Sequence, residues 1–268
     1  KTYSFYVGIL GAIVIILIPF GFFFPPLSQI FLAFSAGALF VLALYLYYSL
    51  VKEFEVSRIA PAIGGLVPII SLLLIFLFSQ GQEVVSLKNI VSFSLLIFGS
   101  VLIVIEKSKN IFGKSLIFSL GAAFYFALYF VLAKFVYTHL GFINGFIWIR
   151  IGGFLMALFF LFSKEVRSQI FIKPKPSGLK TTAIFLGNQI VGGLGSFLQN
   201  WAIALTPLVF VAFINALQGL QYVFLLFFTV LFSFKLPSIL KEEFSRKIII
   251  QKIVAILLIG GGLFLLVI

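Results

Sequence analysis

Nine stretches of about twenty apolar residues follow one another along this chain, separated by short polar segments. The hydrocarbon core of a bilayer is ~30 Å thick, and about 20 helical residues cross it. The stretches therefore predict an all-α, polytopic membrane protein, a helical bundle of about nine transmembrane helices. The predicted spans are 5–24, 30–50, 58–78, 89–105, 114–136, 143–162, 181–203, 207–232 and 249–268.

The composition supports this prediction. Hydrophobic residues make up 62% of the chain and charged residues only 10%, whereas about a quarter of a soluble domain is charged. The chain has no cysteine, no aspartate and a single histidine, His139. Disulfides and thiolate metal sites are thus excluded, and few groups remain for metal ligation or acid–base catalysis. We therefore expect neither enzyme activity nor a metal or other cofactor.

Basic residues are distributed unevenly about the predicted spans. All but three of the 19 lysines and arginines lie on the side that holds Lys1. Lys88 lies on the opposite side, and Lys134 and Arg150 fall within spans. Because cytoplasmic loops carry an excess of Lys and Arg, we expect a multi-pass protein of the cell membrane with Lys1 in the cytoplasm and Ile268 outside. The net charge of +12 then indicates contact with membrane lipid rather than with nucleic acid.

Prolines mark two of the breaks between spans. We expect Pro25 and Pro26 to stop the first helix, since proline removes a backbone donor and clashes with the preceding turn. The connection Leu205-Thr206-Pro207 is short enough to join the seventh and eighth helices as a tight hairpin.

The chain also repeats itself. Leu95–Ile103 is similar to Leu257–Leu265, each an apolar helix with small residues at its centre. Leu46–Phe78 resembles Leu198–Phe232 in length and in its pattern of apolar and polar residues. This order predicts a first repeat at 1–106 with four visible helices and a second repeat at 107–268 with five. The missing helix would precede Lys1. Two copies with an odd number of helices lie inverted in the membrane, which puts a solute site near the midplane.

At this point the chain resembles the drug/metabolite transporter superfamily, specifically the ten-helix type built from two EamA-like repeats. The residues that carry the resemblance are Trp201–Pro207 and Leu217–Gln221 in the second copy, with Ala62–Pro68, Glu83 and Gly99 at the same places in the first. The resemblance covers nearly the whole chain and implies transport of a small organic solute by alternating access. It also implies cytoplasmic termini, whereas the basic residues put Ile268 outside.

Other functions remain open at this stage: a non-transport scaffold, a channel, or a membrane-embedded enzyme. Protein-dependent flux in proteoliposomes would separate them. For the transporter, the expected partners are a small-molecule solute and membrane lipid, and the expected state is a monomer or homodimer. No glutamate lies mid-span, so transport is uncoupled or exchange-type, or the coupling residue lies on the missing helix.

Two groups of candidate substrate-binding residues follow. Lys134 and Arg150 are cations within spans, where charges are costly and functional by default; both could also reach the interface by snorkelling. If functional, the forked donors of Arg150 suit a carboxylate or phosphate. The second group is uncharged and includes a stripe of Asn188, Gly192, Gly195 and Gln199 on one helix; amides also pack helices together, and the tyrosines could be ordinary core or lipid-facing aromatics. The uncharged candidates are Asn188, Gln189, Gln199, Asn215, Gln218, Gln221, Tyr222, Tyr48, Tyr125 and Tyr129.

Overall fold

The computed structural model describes residues 2–54, 56–80, 86–104, 114–172, 178–221, 224 and 246–267. These residues form helices and include no strand, so the all-α prediction is confirmed for them. The helices are α1 (Thr2–Leu10), α2 (Leu27–Glu53), α3 (Val56–Phe78), α4 (Leu87–Val104), α5 (Lys114–Leu140), α6 (Phe142–Phe159), α7 (Lys164–Arg167), α8 (Leu179–Leu205), α9 (Val211–Ala216) and α10 (Arg246–Val267).

Four helical segments of the described residues are long and apolar enough to cross a membrane: Thr2–Phe20, Leu27–Glu53, Ile117–Leu140 and Phe142–Phe162. Shorter apolar helices cover Ala62–Phe78, Leu87–Gly99, Leu208–Gln221 and Ile253–Leu265. The 27-residue helix α8 belongs to neither set, because Asn, Gln and Gly dilute its apolar residues. The last part of the predicted span 207–232 lies outside the described residues.

The first span ends earlier than predicted. α1 continues as a 3-10 helix over Gly11–Phe20, and Gly21 terminates it with a φ of 140°. Such a φ is accessible to glycine and strained for other residues, so Gly21 rather than Pro25 stops the helix. The chain that follows is fixed to α6: the Phe23 N–H donates to Asn144 Oδ1 at 3.1 Å, and Trp148 Nε1 donates to the Phe23 carbonyl at 3.1 Å.

The connection after α8 agrees with the predicted tight turn. The Thr206 N–H donates to the Ala202 carbonyl at 3.2 Å, and a 3-10 turn begins at Leu208. The longer segment between the sixth and seventh spans contains the short helix α7 and a π-helical turn over Ser168–Ile172. The sequence did not predict these, since both are too short to show a helical period.

The chain divides into two compact units. Unit 1 comprises Lys1–Lys52 with Tyr125–Val211, and unit 2 comprises Glu53–Phe124 with Ala212–Ile268. This partition differs from the predicted repeats at 1–106 and 107–268, because each unit takes segments from both halves of the chain.

Unit 1 is built on close helix contacts around α6. Gly37 of α2 packs against the backbone of α6 at Ile149 and Gly152, and Gly8 of α1 packs against Ala157. At each contact a side chain in place of the glycine would meet its neighbour, so the helix separation depends on the missing Cβ. This packing holds α1 and α2 against the face of α6 that carries Arg150.

Unit 2 contains a tightly packed antiparallel pair, α4 and α10. Ser92 Oγ donates to the Gly262 carbonyl at 2.5 Å, and Gln251 Nε2 donates to the Leu102 carbonyl at 2.8 Å. The beginning of α4 thus meets the end of α10, and the end of α4 meets its beginning. Two glycines, Gly99 on α4 and Gly262 on α10, lie where the backbones come closest.

Candidate functional site

The polar contacts of unit 1 centre on one face of α8. Along this helix Gln189, Ser196 and Asn200 follow at i, i+7 and i+11, which places them on one side. Ser196 and Asn200 contact α6 and α5, and Gln189 Nε2 donates to the Tyr3 hydroxyl at 2.9 Å. The predicted stripe through Asn188, Gly192 and Gly195 is exposed instead. The face of α8 that makes these contacts therefore lies one residue beyond the stripe seen in the sequence, whose solute-binding role stays a prediction.

Asn200 is buried and joins two tyrosines of α5. Both Tyr129 and Tyr137 donate their hydroxyls to Asn200 Oδ1, at 2.8 and 2.7 Å. The amide nitrogen of Asn200 donates to the Ser196 carbonyl at 2.8 Å and approaches Ser196 Oγ at 3.5 Å. Both acceptor and donor sides of this buried amide are therefore satisfied, as burial of a polar group requires.

Arg150 of α6 extends this network. Its Nη2 donates to Ser196 Oγ at 2.6 Å. The guanidinium carbon lies 4.7 Å from the ring centroid of Phe146 and 5.2 Å from that of Phe40, distances typical of cation–π contacts. A guanidinium has five N–H donors, and within the described residues only Ser196 accepts a hydrogen bond from it.

The positive charge of Arg150 has no carboxylate partner among the described residues. The only acidic residue in the sequence of unit 1 is Glu165. It lies fifteen positions beyond Arg150, or about 22 Å along a continuous helical path. Arg150 is thus a half-buried cation stabilised by one hydroxyl and two aromatic rings.

A small cavity opens beside Arg150. Its lining is largely glycine and apolar side chains, and it has room for about one water molecule. Where a Cβ is built on Gly11, the nearest atom is Arg150 Cδ at 3.8 Å, so the wall beside the arginine is not tightly packed. The lining residues are Val7, Gly8, Gly11, Gly37, Phe40, Val41, Ile149, Arg150 and Gly153.

Lys134, the other cation predicted to bind solute, has a different hydrogen-bond partner. Its Nζ donates to the carbonyl of Ala204 at 3.0 Å. Ala204 lies in the last turn of α8, where the carbonyl groups have no partner within the helix and carry a partial negative charge. The structure therefore gives Lys134 a local role as a cap on the end of α8.

Two of the remaining candidates of unit 1, Tyr48 and Gln189, meet at Tyr3, away from Arg150. The Tyr3 and Tyr48 ring centroids are 4.4 Å apart, and Gln189 reaches the same Tyr3 hydroxyl. Tyr48 and Gln189 are thus brought together through Tyr3. Tyr125 and Gln199 are half-buried.

The candidates of unit 2 centre on α9. Asn215 is buried, and its Nδ2 donates to Ser71 Oγ of α3 at 3.0 Å. Gln218 is half-buried and Gln221 exposed. Tyr222 lies outside the described residues.

The sequence analysis did not single out five residues of the Arg150 network: Ser196, Asn200, Tyr137, Phe40 and Phe146. A signal existed for two of them. Tyr129 and Tyr137 lie eight positions apart on one face of α5, and Ser196 lies one turn before Asn200. Phe40 and Phe146 could not be distinguished from the other phenylalanines, of which the chain has 37.

Comparison with known proteins gives no family assignment. No protein-family model matches this chain, and no curated protein matches it significantly.

Proposed function

We propose that this chain is a multi-pass protein of the cell membrane that transports a small organic solute by alternating access between two inverted repeats. The observation that carries the proposal is the reciprocal contact of α4 with α10. A Cβ built on Gly99 would lie 2.9 Å from the Ala255 carbonyl oxygen and 3.0 Å from the Ile259 nitrogen. A Cβ built on Gly262 would lie 2.9 Å from the Ser92 oxygen and 3.1 Å from the Leu96 nitrogen.

These two sets of contacts are related by one constant shift along the chain. It takes Ser92 to Ala255, Leu96 to Ile259 and Gly99 to Gly262. Reciprocal contacts between antiparallel helices are those that a two-fold axis across the pair produces. The sequence alignment of Leu95–Ile103 with Leu257–Leu265 differs from this shift by one residue. The packing thus supports the proposed duplication, with its register shifted by one residue.

A second pair of corresponding helices supports the same interpretation. In the predicted repeats the first visible helix corresponds to the helix at 143–162. In unit 1, Gly8 lies near Ala157, Gly11 near Arg150 and Gly21 near Ile143. The two segments therefore run antiparallel. Inverted repeats with antiparallel equivalents are characteristic of secondary transporters.

The Arg150 network supports a solute site. A cation within an apolar helix bundle is costly and is typically found on a substrate or ion pathway. Here Arg150 lines a cavity, and within the described residues only one of its N–H groups donates a hydrogen bond, to Ser196. Since the cavity holds about one water molecule, the arrangement favours a carrier that must change conformation over an open pore.

We further propose that the chain belongs with the drug/metabolite transporters of the two-repeat, ten-helix type. The support is the sequence resemblance given above together with the antiparallel pairing of corresponding helices.

Flux in proteoliposomes tests the proposed function. The purified chain would be reconstituted and offered a panel of amino acids, nucleosides, cationic dyes, organic phosphates and organic carboxylates, with protein-free liposomes as control. We expect saturable uptake of at least one solute, accelerated when the same solute is preloaded inside. Flux that neither saturates nor accelerates on preloading would indicate a channel, and absence of flux for every class would indicate a scaffold.

A further inference from the structure

We propose that the site at Arg150 takes a small organic carboxylate with a flat apolar body and no second charge. This inference rests on the proposed transport function and names the solute class for the same site. Three observations support it: the charge of Arg150, the arrangement of its N–H groups, and the side chains that line the cavity beside it.

The charge of the site selects an anion. Arg150 brings one positive charge into an apolar unit, and no described carboxylate neutralises it. A bound monoanion would pair with the guanidinium and leave no net charge, whereas a cationic solute would add repulsion. A dianion would leave one negative charge unpaired, because Lys134, the other half-buried cation among the described residues of the unit, is bonded to the Ala204 carbonyl.

The guanidinium also has the geometry to recognise a carboxylate. The guanidinium carbon lies 4.7 Å from the ring centroid of Phe146 and 5.2 Å from that of Phe40. Ser196 accepts a hydrogen bond from one N–H group. The other N–H groups lie in the guanidinium plane, where a carboxylate can bind with both oxygens. A neutral amide offers one oxygen and brings donors of its own, so it satisfies these groups less well.

The surroundings select an apolar body. The cavity beside Arg150 is lined by Val7, Val41, Ile149, Phe40 and four glycines. Ser196, which is bonded to Arg150, and Asn200 beside it are already engaged in hydrogen bonds. A flat ring or short alkyl group would therefore contact aromatic and aliphatic side chains only, as ligands commonly do in apolar pockets. Since the cavity holds about one water molecule, binding must move its walls outwards.

Binding of four probes with one shape tests the inference. Benzoate, benzamide, benzylammonium and phenyl phosphate share a ring and differ in charge. Equilibrium dialysis with the purified protein at neutral pH should give saturable benzoate binding at least about tenfold tighter than that of the other three, the ratio expected from one charge-assisted hydrogen-bonded pair. Equal binding of benzamide or benzylammonium would overturn the inference, as would tighter binding of phenyl phosphate.

Variants of Arg150 test whether this residue binds the carboxylate. Arg150→Gln should weaken benzoate binding at least about tenfold, while Arg167→Gln, which removes an exposed arginine of the same unit, should leave it unchanged. Arg150→Lys keeps the charge without the fork, so it should bind benzoate more weakly but still in preference to benzylammonium. Unchanged benzoate binding by Arg150→Gln would place the carboxylate elsewhere and defeat the inference.

Flux measurements distinguish failure of this inference from failure of the proposed function. Uptake of another solute class that Arg150→Gln leaves intact would reject the carboxylate site and keep the transporter. Arg150-dependent benzoate binding with no flux for any solute would keep the site's ligand class and reject transport.

Discussion

Tyr129 and Tyr137 of α5 donate their hydroxyl groups to the same atom, Oδ1 of Asn200, at 2.8 and 2.7 Å. This shared acceptor fixes the orientation of the Asn200 amide, because its nitrogen must then point to Ser196. Ser196 in turn accepts from Arg150. Two tyrosines whose hydroxyl groups bond to Asn200 and not to the guanidinium therefore help to set the position of the Ser196 hydroxyl, which does bond to it.

Removal of the two tyrosine hydroxyls should be non-additive. Tyr129→Phe or Tyr137→Phe alone leaves one donor on Asn200 Oδ1, so each should lower the free energy of unfolding by about 0.5–1.5 kcal/mol. The double variant leaves a buried oxygen without a donor and should lose about 1–3 kcal/mol beyond the sum of the single changes. Thermal unfolding of the detergent-solubilised protein measures this. Strict additivity would mean that the two hydroxyls do not share an acceptor.

The same network shows what the sequence could and could not predict. Spacing predicted α8 and a polar side to it, but Asn188 and Gln189 are adjacent, as are Gln199 and Asn200. Adjacent helical residues point about 100° apart, so the sequence offers two polar stripes. Only the position of the tyrosines on α5 and of Arg150 on α6 selects the second stripe, and these are contacts over long sequence separations.

Glycine clusters show the same limit. Gly260-Gly261-Gly262 puts three small residues side by side in this helix, and the sequence does not distinguish which of them meets a neighbouring helix. In the structure Gly262 meets α4, whereas a Cβ on Gly260 would meet no atom within 4 Å. The packing partner of each glycine depends on the rotation of α10 about its axis, which apolar residues on all sides do not define.

Alanine at the two reciprocal glycines should have similar effects. Gly99→Ala and Gly262→Ala each push a Cβ to 2.9 Å from a carbonyl oxygen of the partner helix. Each should therefore destabilise the protein by about 1–3 kcal/mol. Gly260→Ala is the matched control and should be neutral or stabilising by up to about 1 kcal/mol, since alanine favours the helix. Thermal unfolding compares all three.

A large loss for Gly99→Ala with none for Gly262→Ala would contradict the reciprocal contact. It would remove the main support for the inverted duplication, while the description of α4 and α10 as helices would be unaffected.

Lys134 offers a test of capping against solute binding. Lys134→Met keeps the aliphatic stem and removes the hydrogen bond to the Ala204 carbonyl. We expect a loss of about 0.5–2 kcal/mol in stability, from one hydrogen bond and its interaction with the helix end. Benzoate binding and its dependence on Arg150 should be unchanged. A loss of binding with unchanged thermal stability would instead assign Lys134 to the solute site.

The membrane arrangement depends on α8, the least apolar of the long helices described. Its buried polar contacts to Tyr129, Tyr137 and Arg150 would offset the cost of burying its amides in a bilayer, so we expect α8 to span the membrane.

Reporter fusions test whether α8 crosses the membrane. With nine spans, a fluorescent reporter should be active after residue 176, which follows many basic residues, and a periplasm-dependent phosphatase after Thr206 and after Ile268. If α8 does not cross, the orientation of every later segment inverts, and the fluorescent reporter would then be active at Thr206 and at Ile268. That outcome would place fewer spans in the second repeat than in the proposed five-helix unit, and the inverted relation between the repeats would no longer follow.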